Sequence, residues 1–595
     1  MAVMKWFGHF AIFFGAPVFA QTTEPSDVIS RDWMNSAIRV EKPGESSIVS
    51  LGGHVIELTT TTTPPSPWMA QIAIPTSADV LAGDVLLIEG DVRAAEADPD
   101  TKESALRIVA QLAEPPYTVH DEAVILATGS WQPQRLPLRV KADQPAGKMQ
   151  IAINFGVCRQ RVQLRNLSVR NLGQRASIAG LRSPPLSYFG REPDAPWRKA
   201  AAERIEKHRK ADLTICVVDA LGNPVPGAKV QITQQRHAFA FGTAVTKGRI
   251  LGTGSDDEQY RKVLAAYFNT VVFENDLKWP AWEPGTAAQQ REHRQQMHSA
   301  MDWLKSEKLQ MSVRGHCLVW PEAQRLPADV QAMIKTKDRD GLQRRVDDHI
   351  SRLTKEFAGT IDEWDVVNEA TFHQAIQDVL GDSAMARWFH LAHQADPKAK
   401  LYLNDFAMLS YGALNEQKIA RMYDLARQLR EQGAPIHGIG EQAHFGDALV
   451  GPERVLSLFD RFAKLGLPIR ITEFDVTTHD DQLQADYLRD FFTAAFSHPS
   501  VNGIVLWGFY QKNHWMPEAA LWKNDWTRRP LGDAYVDLVT KLWHTAAAGE
   551  TGADGRFATR GFLGDYRIVV SRDGREKVAS PRLPAGGVEI KVQIP

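Results

Sequence analysis

The stretch Leu467-Pro-Ile-Arg-Ile-Thr-Glu-Phe-Asp-Val476 is an apolar run that ends abruptly in Thr472-Glu473-Phe474-Asp475. Its length and β-branched content read as a buried strand with a carboxylate, Glu473, at the tip. A second run, Ile361-Asp-Glu-Trp-Asp-Val-Val-Asn-Glu-Ala370, ends the same way in Asn368-Glu369. A lone glutamate at a strand end is commonly a salt-bridge partner or a loop cap, but two of them need a shared explanation. In a barrel of parallel strands every carboxyl end meets on one face, and catalytic groups collect there. Two carboxyls on that face divide into a proton donor and a nucleophile, the division that glycosidic cleavage requires.

Around these runs, residues 237–544 alternate strand-like segments with amphipathic helices. Strands are read to begin at Ala238, Thr270, Met311, Ile361, Lys400, His437, Pro468 and Val501. Eight strand-helix units in about 300 residues predict an α/β fold, a (β/α)8 TIM barrel. Ser255-Asp-Asp-Glu258 reads as a capping box ahead of Tyr260, Val263, Leu264, Tyr267 and Phe268 on one helical face. Asn415 opens another helix, which Gly433 ends.

Residues 21–171 look different, with short alternating runs such as Gln71-Ile-Ala-Ile74, Leu106-Arg-Ile-Val-Ala-Gln-Leu112 and Met149-Gln-Ile-Ala-Ile-Asn-Phe155 between Gly, Pro and Asp turns. Many short strands without helices predict an N-terminal β-sandwich of jelly-roll type. Trp33, Trp68, Tyr117 and Trp131 are its possible sugar-stacking surfaces, and core packing is the competing reading for each. Residues 172–210 read as a linker and lead-in helix, the latter started at Asp194-Ala-Pro196. Asp212-Leu-Thr-Ile-Cys-Val-Val218 and Ala228-Lys-Val-Gln-Ile-Thr233 are two strands that cannot stand alone in water. Gly564-Asp-Tyr-Arg-Ile-Val-Val570 and Val588-Glu-Ile-Lys-Val-Gln-Ile594 supply alternating partners. Residues 211–236 and 545–595 are therefore expected to form one small split β-sandwich flanking the barrel.

The 595 residues exceed what one core usually serves. A formal charge of -2 gives no basic field for nucleic acid, which is excluded as a partner. Residues 1–20, a Lys5-containing start, an apolar core and Ala20 before Gln21, read as a cleavable signal peptide. Export to the periplasm or outside the cell is expected, with no membrane span after cleavage. Three scattered cysteines, Cys158, Cys216 and Cys317, make no disulfide scaffold and no zinc cluster.

Further runs share the strand-end pattern: Tyr267-Phe-Asn-Thr-Val-Val-Phe-Glu274-Asn275-Asp-Leu-Lys278-Trp279, Met311-Ser-Val-Arg-Gly-His316-Cys-Leu-Val-Trp320 and Ile439-Gly-Glu-Gln442-Ala-His444. With the two glutamates, these residues resemble glycoside hydrolase family 10, the retaining endo-β-1,4-xylanases, from His237 to Trp543. The N-terminal strand layout is similar to the carbohydrate-binding modules that often precede such barrels. Arg560 to Tyr566, Arg-Gly-Phe-Leu-Gly-Asp-Tyr, matches family members with a split sandwich.

The resemblance implies that Glu473 is the nucleophile and Glu369 the acid/base, with Asn368 bonding a sugar 2-hydroxyl. It implies that His444 holds the Glu473 carboxylate with Gln442 nearby, while Glu274, Asn275, Lys278, His316 and Trp320 hold the glycone and Trp507 and Trp515 wall its pocket. Asp475 is expected to orient His444 from behind. Glu369 must start protonated, and a low-dielectric floor with like-charge repulsion is expected to raise one of the two carboxyls. The sequence departs from the family at Pro321-Glu322-Ala323, at Phe406-Ala407 and at His437, which puts aglycone binding in doubt.

The implied activity is hydrolysis of xylan or a related β-glycan polysaccharide and its oligosaccharides, without metal or organic cofactor. Two alternatives stay open: another β-linked glycan or aryl glycoside as substrate, and a non-catalytic carbohydrate-binding protein.

Overall fold

The computed structural model describes residues 25–594 apart from 65, 99–103, 179, 414 and 479. The expected signal peptide, 1–20, lies outside these residues. Three separate apolar cores organise the chain, one for each β-rich unit and one for the barrel.

The N-terminal core lies between two antiparallel sheets. In the first, Ser46–Gly52, Val55–Thr60, Gln160–Asn171, Val85–Glu96 and Gln132–Arg139 lie side by side. In the second the order is Ile38–Val40, Gln71–Pro75, Met149–Asn154, Ala105–Leu112, Val119–Leu126. Strand alternation explains which residues are buried together: Met149, Ile151 and Ile153 point between the sheets with Ile72, Ile74, Leu106 and Ile108. Trp33 belongs to this core and is not a sugar platform. Trp131 carries the guanidinium groups of Arg93 and Arg165 against its ring, at 4.9 and 4.3 Å from the centroid. Trp68 and Tyr117 remain exposed.

The small sandwich draws on both flanks of the barrel, as expected. Lys210–Val218 pairs antiparallel with Arg556–Phe562 and parallel with Val588–Gln593. Lys229–His237 lies between Ala546–Glu550 and Gly564–Arg572. Leu213, Ile215, Val230, Ile232, Ile568 and Val570 alternate inward to fill it. The lead-in helix Pro196–Arg209 starts with Pro at its first turn, and its cap is Ala195 instead of the expected Asp194. It docks on the barrel helix Asp481–Ser497 through Arg198 and Asp490, 2.6 Å apart and joined by the Tyr188 hydroxyl at 2.8 Å. Arg209 then donates to the carbonyls of Phe496, His498 and Val501 at 2.6–2.7 Å.

Ala240–Val245, Thr270–Phe273, Ser312–Gly315, Glu363–Asn368, Lys400–Asp405, Gly438–Glu441, Ile469–Val476 and Val501–Leu506 form a closed ring of parallel strands. They are called the first to eighth barrel strands below. Each begins within two residues of its sequence-based position. The capping box read at Ser255 does not form: the cap is Gly254, which has no side chain to accept, and only the return bond is made, from the Gly254 amide to Asp257 at 3.1 Å, whereas Asn415 caps its helix by accepting from the Lys418 amide. Gly315 has no alternative in the third strand, since a β-carbon there would lie 2.2 Å from the Trp364 ring. Among the described residues no helix is long and apolar enough to cross a membrane.

Inside the ring, Arg314 is fully buried and pairs with Asp365 and, at 3.2 Å, with Glu363. Arg470 reaches Glu363 from the seventh strand at 3.0 Å. Two guanidinium groups thus balance two carboxylates out of contact with water. Breaking such a set by removing one partner leaves an uncompensated charge and costs about 3–5 kcal/mol. Arg314→Met is expected to lower the unfolding free energy by about that amount, measured by urea denaturation. A loss below about 1 kcal/mol contradicts the assignment.

Candidate active site

The carboxyl ends of the barrel strands open into a cavity of about 900 Å³. Its wall carries Glu274, Asn275, Lys278, His316, Trp320, Asn368, Glu369, Gln442, His444, Glu473, Trp507 and Trp515. Asp475 stands behind His444. Every residue singled out from the sequence for this site is thus brought together.

Glu473 is buried at the tip of the seventh strand. Its Oε1 accepts from Asn404 Nδ2 at 2.9 Å, and its Oε2 lies 3.2 Å from His444 Nε2. The other imidazole nitrogen is 3.0 Å from Asp475 Oδ2, which also accepts from Trp515 Nε1 at 2.7 Å. A short parallel pairing of His444 with Asp475 fixes this row. Burial opposes charge on the imidazole, but Asp475 and Glu473 outweigh it and His444 is pushed up to about 10. The ring is therefore a cation held between two carboxylates.

Glu369 follows the fourth strand in a left-handed conformation, φ 57°, its amide donating to the Asn404 carbonyl at 2.8 Å. Such a backbone costs on the order of 1–3 kcal/mol for a residue other than glycine and turns the side chain into the cavity. Its Oε1 accepts from Gln442 Nε2 at 2.8 Å and its Oε2 from Trp320 Nε1 at 2.9 Å. His373 Nε2 lies 3.3 Å from the same Oε2, one helical turn further on. Burial pushes this carboxyl up, yet bonds from His373, Gln442 and Trp320 outweigh it and hold Glu369 below its ordinary value. His373 is raised by the same bond, against its partial burial. The expected elevation of Glu369 is thus corrected for the free protein: the proton of this pair rests on the imidazole.

Asn404 ties the two glutamates to one frame. Its Nδ2 donates to Asn368 Oδ1 at 2.8 Å as well as to Glu473, and its Oδ1 accepts from Thr472 Oγ1 at 2.8 Å. Asn368 therefore spends its oxygen inside the protein and keeps its NH2 for the cavity side. Across the cavity, Lys278 Nζ donates to Asn275 Oδ1 at 2.9 Å and stands 5.2 Å from the Trp320 ring. His316 Nδ1 lies 2.9 Å from Asp365 Oδ2, with its edge against Trp507. Burial pushes the Glu274 carboxyl up despite Lys278 beside it.

Sequence reading missed His373, Asn404, Asp365 and Thr472. Asn404 carried a usable signal, since Asn404-Asp405 is another polar strand end, whereas nothing local marks His373. It also missed Glu122, Ala123 and Val124 of the N-terminal sandwich, which line the same cavity. Phe406, one of the departures, lines the cavity and stacks on Phe372 at 4.0 Å. His437 lies before the sixth strand, at the opposite end of the barrel, and accepts from the Leu401 amide at 3.1 Å. The doubt it cast on aglycone binding is removed. Among the described residues no group of three His, Cys, Asp or Glu side chains is placed to hold a metal ion.

The raised His444 has a thermodynamic consequence. Its folded value lies above 6.5, so its contribution to stability is whole below about pH 6.5 and is lost as the pH rises through about 10. Glu441, pushed up to about 8 by burial against bonds from the Met408 and Leu409 amides, works in the same direction from its ordinary 4.5 upward. The thermal midpoint is expected to fall from pH 6.5 to 10, and His444→Gln to flatten that fall. Equal slopes in the two proteins contradict the assignment.

The model for glycosyl hydrolase family 10 matches residues 231–538. Relatives include the anti-sigma-I factor RsgI6 of Acetivibrio thermocellus, 34% identical over 64% of this chain and 47% of that one. Endo-1,4-beta-xylanase 1 of Arabidopsis thaliana is 30% identical over 67% of this chain and 40% of that one. The chain spans less than half the length of these two proteins. A solved structure, xylanase 10B of Thermotoga petrophila with xylobiose, is 26% identical over 51% of this chain and 95% of that one, with a TM-score of 0.44. With its family model covering half of its residues, the chain belongs to glycosyl hydrolase family 10.

Proposed function

We propose that the chain is an exported, retaining endo-β-1,4-xylanase. The observation that supports this best is the pair of strand-end glutamates held in one frame by Asn404 and Gln442. Glu473 attacks the anomeric carbon while Glu369 protonates the departing oxygen, breaking the glycosidic bond and forming a glycosyl ester. Glu369 then takes a proton from water, whose oxygen attacks the same carbon and releases Glu473. Asn368 bonds the 2-hydroxyl of the reacting sugar through its amide NH2, and the bond tightens as positive charge grows on the ring. Glu274, Asn275, Lys278, His316 and the Trp320 and Trp507 faces fix the glycone, and Trp515 closes it from a loop. Xylan is favoured over other β-glycans because several relatives are named endo-1,4-beta-xylanases. A polymer of that size is met outside the cell, in keeping with export.

The His373–Glu369 pair gives the acid step a particular pH dependence. One proton is shared between them, and its tautomer on Glu369 is the reactive form. The proton is lost only when the raised His373 deprotonates, which sets the basic limb of kcat/KM. His373→Asn leaves Glu369 alone and is expected to move that limb to lower pH. An unmoved limb contradicts the shared proton.

A second reading, glycan sensing by a barrel that no longer cuts, is favoured by one observation: a relative is named an anti-sigma-I factor. Glu473→Gln and Glu369→Gln separate the two. Catalysis predicts losses of about 10²-fold or more on xylan, and sensing predicts function intact. NMR of early products is expected to show the β-anomer first; the α-anomer first overturns retention.

A further inference from the structure

The loop that follows the eighth strand brings Trp515 to the cavity wall. Trp515 is half exposed, at 49%. Its indole donates to Asp475, and its ring meets His444 edge-on with centroids 4.9 Å apart. A large side chain on an exposed loop samples many positions unless the loop itself is held. What holds this loop lies outside the site described above.

The hold comes from the other side of the barrel seam, where the first strand leads into the helices Lys247–Leu251 and Ser255–Tyr267. Asp256, in the first turn of the second helix, turns both carboxylate oxygens to the loop. Its Oδ1 accepts from Trp526 Nε1 at 3.1 Å. Its Oδ2 accepts from Lys512 Nζ at 3.1 Å and lies 3.2 Å from the Tyr510 hydroxyl. Tyr510 and Lys512 precede Trp515, whereas Trp526 follows it, so one carboxylate ties the outgoing limb of the loop to the returning one. The Tyr510 and Trp526 rings also stack, with centroids 4.0 Å and planes 5° apart. Beside them Arg249 donates from Nε to Asn513 Oδ1 at 2.6 Å and from Nη1 to Asp257 at 2.7 Å.

Two adjacent acids at a helix start ordinarily serve the helix itself, by capping or by opposing its dipole. Asp257 does so, since it accepts from the Gly254 amide. Asp256 does not: among the described residues every hydrogen bond to its carboxylate comes from the loop. Exposed ion pairs add little to stability, so three donors converging on a partly exposed carboxylate are better explained by the geometry they impose. At the loop's start, a β-carbon on Gly508 would lie 2.9 Å from the His514 ring, so the segment leading to Trp515 is folded tightly against its own base.

We propose that Asp256 is a positioning residue for the glycone pocket: by clamping both limbs of the eighth-strand loop it holds the Trp515 ring where the sugar is bound. The inference deepens the proposed function and rests on it for the sugar that Trp515 meets. Asp256 itself touches no substrate.

The test is a double-variant cycle in the full chain, Asp256→Ala and Trp515→Ala singly and together, read on an aryl β-xylobioside. Asp256→Ala is expected to raise KM by about tenfold, the worth of one aromatic contact. Its kcat stays within about threefold, because the contact is made equally in ground state and transition state. In the Trp515→Ala background, Asp256→Ala adds nothing further. Asp256→Asn keeps acceptor oxygen for the loop and is expected to recover most of the loss. Lys512→Met, at an exposed site, raises KM in the same sense and again has no effect without Trp515. An unchanged KM overturns the proposal. So do losses that add in the double variant, or a kcat that falls in step with the thermal midpoint, which mark a merely structural acid. Hydrogen exchange needs no substrate: residues 508–529 are expected to exchange faster in Asp256→Asn and Lys512→Met than in the parent, and equal rates overturn the clamp. A parent that cleaves no β-xyloside while the loop still quickens defeats the functional reading and leaves the clamp standing.

Discussion

Charge compensation in a dry place is the constraint on which this molecule turns. Closing eight parallel strands gathers Glu274, Glu369, Asp405, Glu441, Glu473 and Asp475 at one end of the ring, and Glu363 and Asp365 lie just beneath them. So many carboxyls in low dielectric repel one another unless each has a cation or several N–H donors. Arg314 and Arg470 serve the lower layer, His444 bridges Glu473 and Asp475, and Lys278 stands by Glu274. Where burial outweighs the donors, the carboxyl is pushed up: Asp405 to about 6, offset only partly by the bonds from Thr371. The differing fates of these acids follow from what each one touches.

The same constraint explains how much could be read from the chain alone. Strand-end glutamates are visible because a buried run that stops in a carboxylate violates hydrophobic patterning, and a violation at the end of a parallel strand points at function. The ring itself was legible from eight alternations, and the small split sandwich from strands with no local partner. His373 escaped although it follows Glu369 by four residues, because the turn between them carries no apolar pattern. What else escaped was set by distance in sequence. Asn404 looks like any strand end until its amide is found between Asn368 and Glu473. Trp131 reads as a sugar platform in the sequence, and only the fold reveals two arginines against its ring.

The N-terminal sandwich illustrates the reverse. Its inner face follows alternation so well that the outer face is determined by default, and the polar residues there look like ordinary solvent-facing positions in the sequence. Burial changes their meaning. Gln150 and Asn154 are not surface amides but groups withdrawn from water.

The small sandwich also governs how the protein is made. Its central strand, Lys210–Val218, is synthesised before the barrel, yet Leu213 pairs with Val588, which emerges only after the whole barrel. Until then that strand shows an unpaired edge to the surroundings, while the barrel between the two halves condenses. Completion of this sheet is therefore a non-local step that waits for the whole barrel, and a chain that stops short of Val588 leaves a sticky ribbon beside an otherwise assembled barrel.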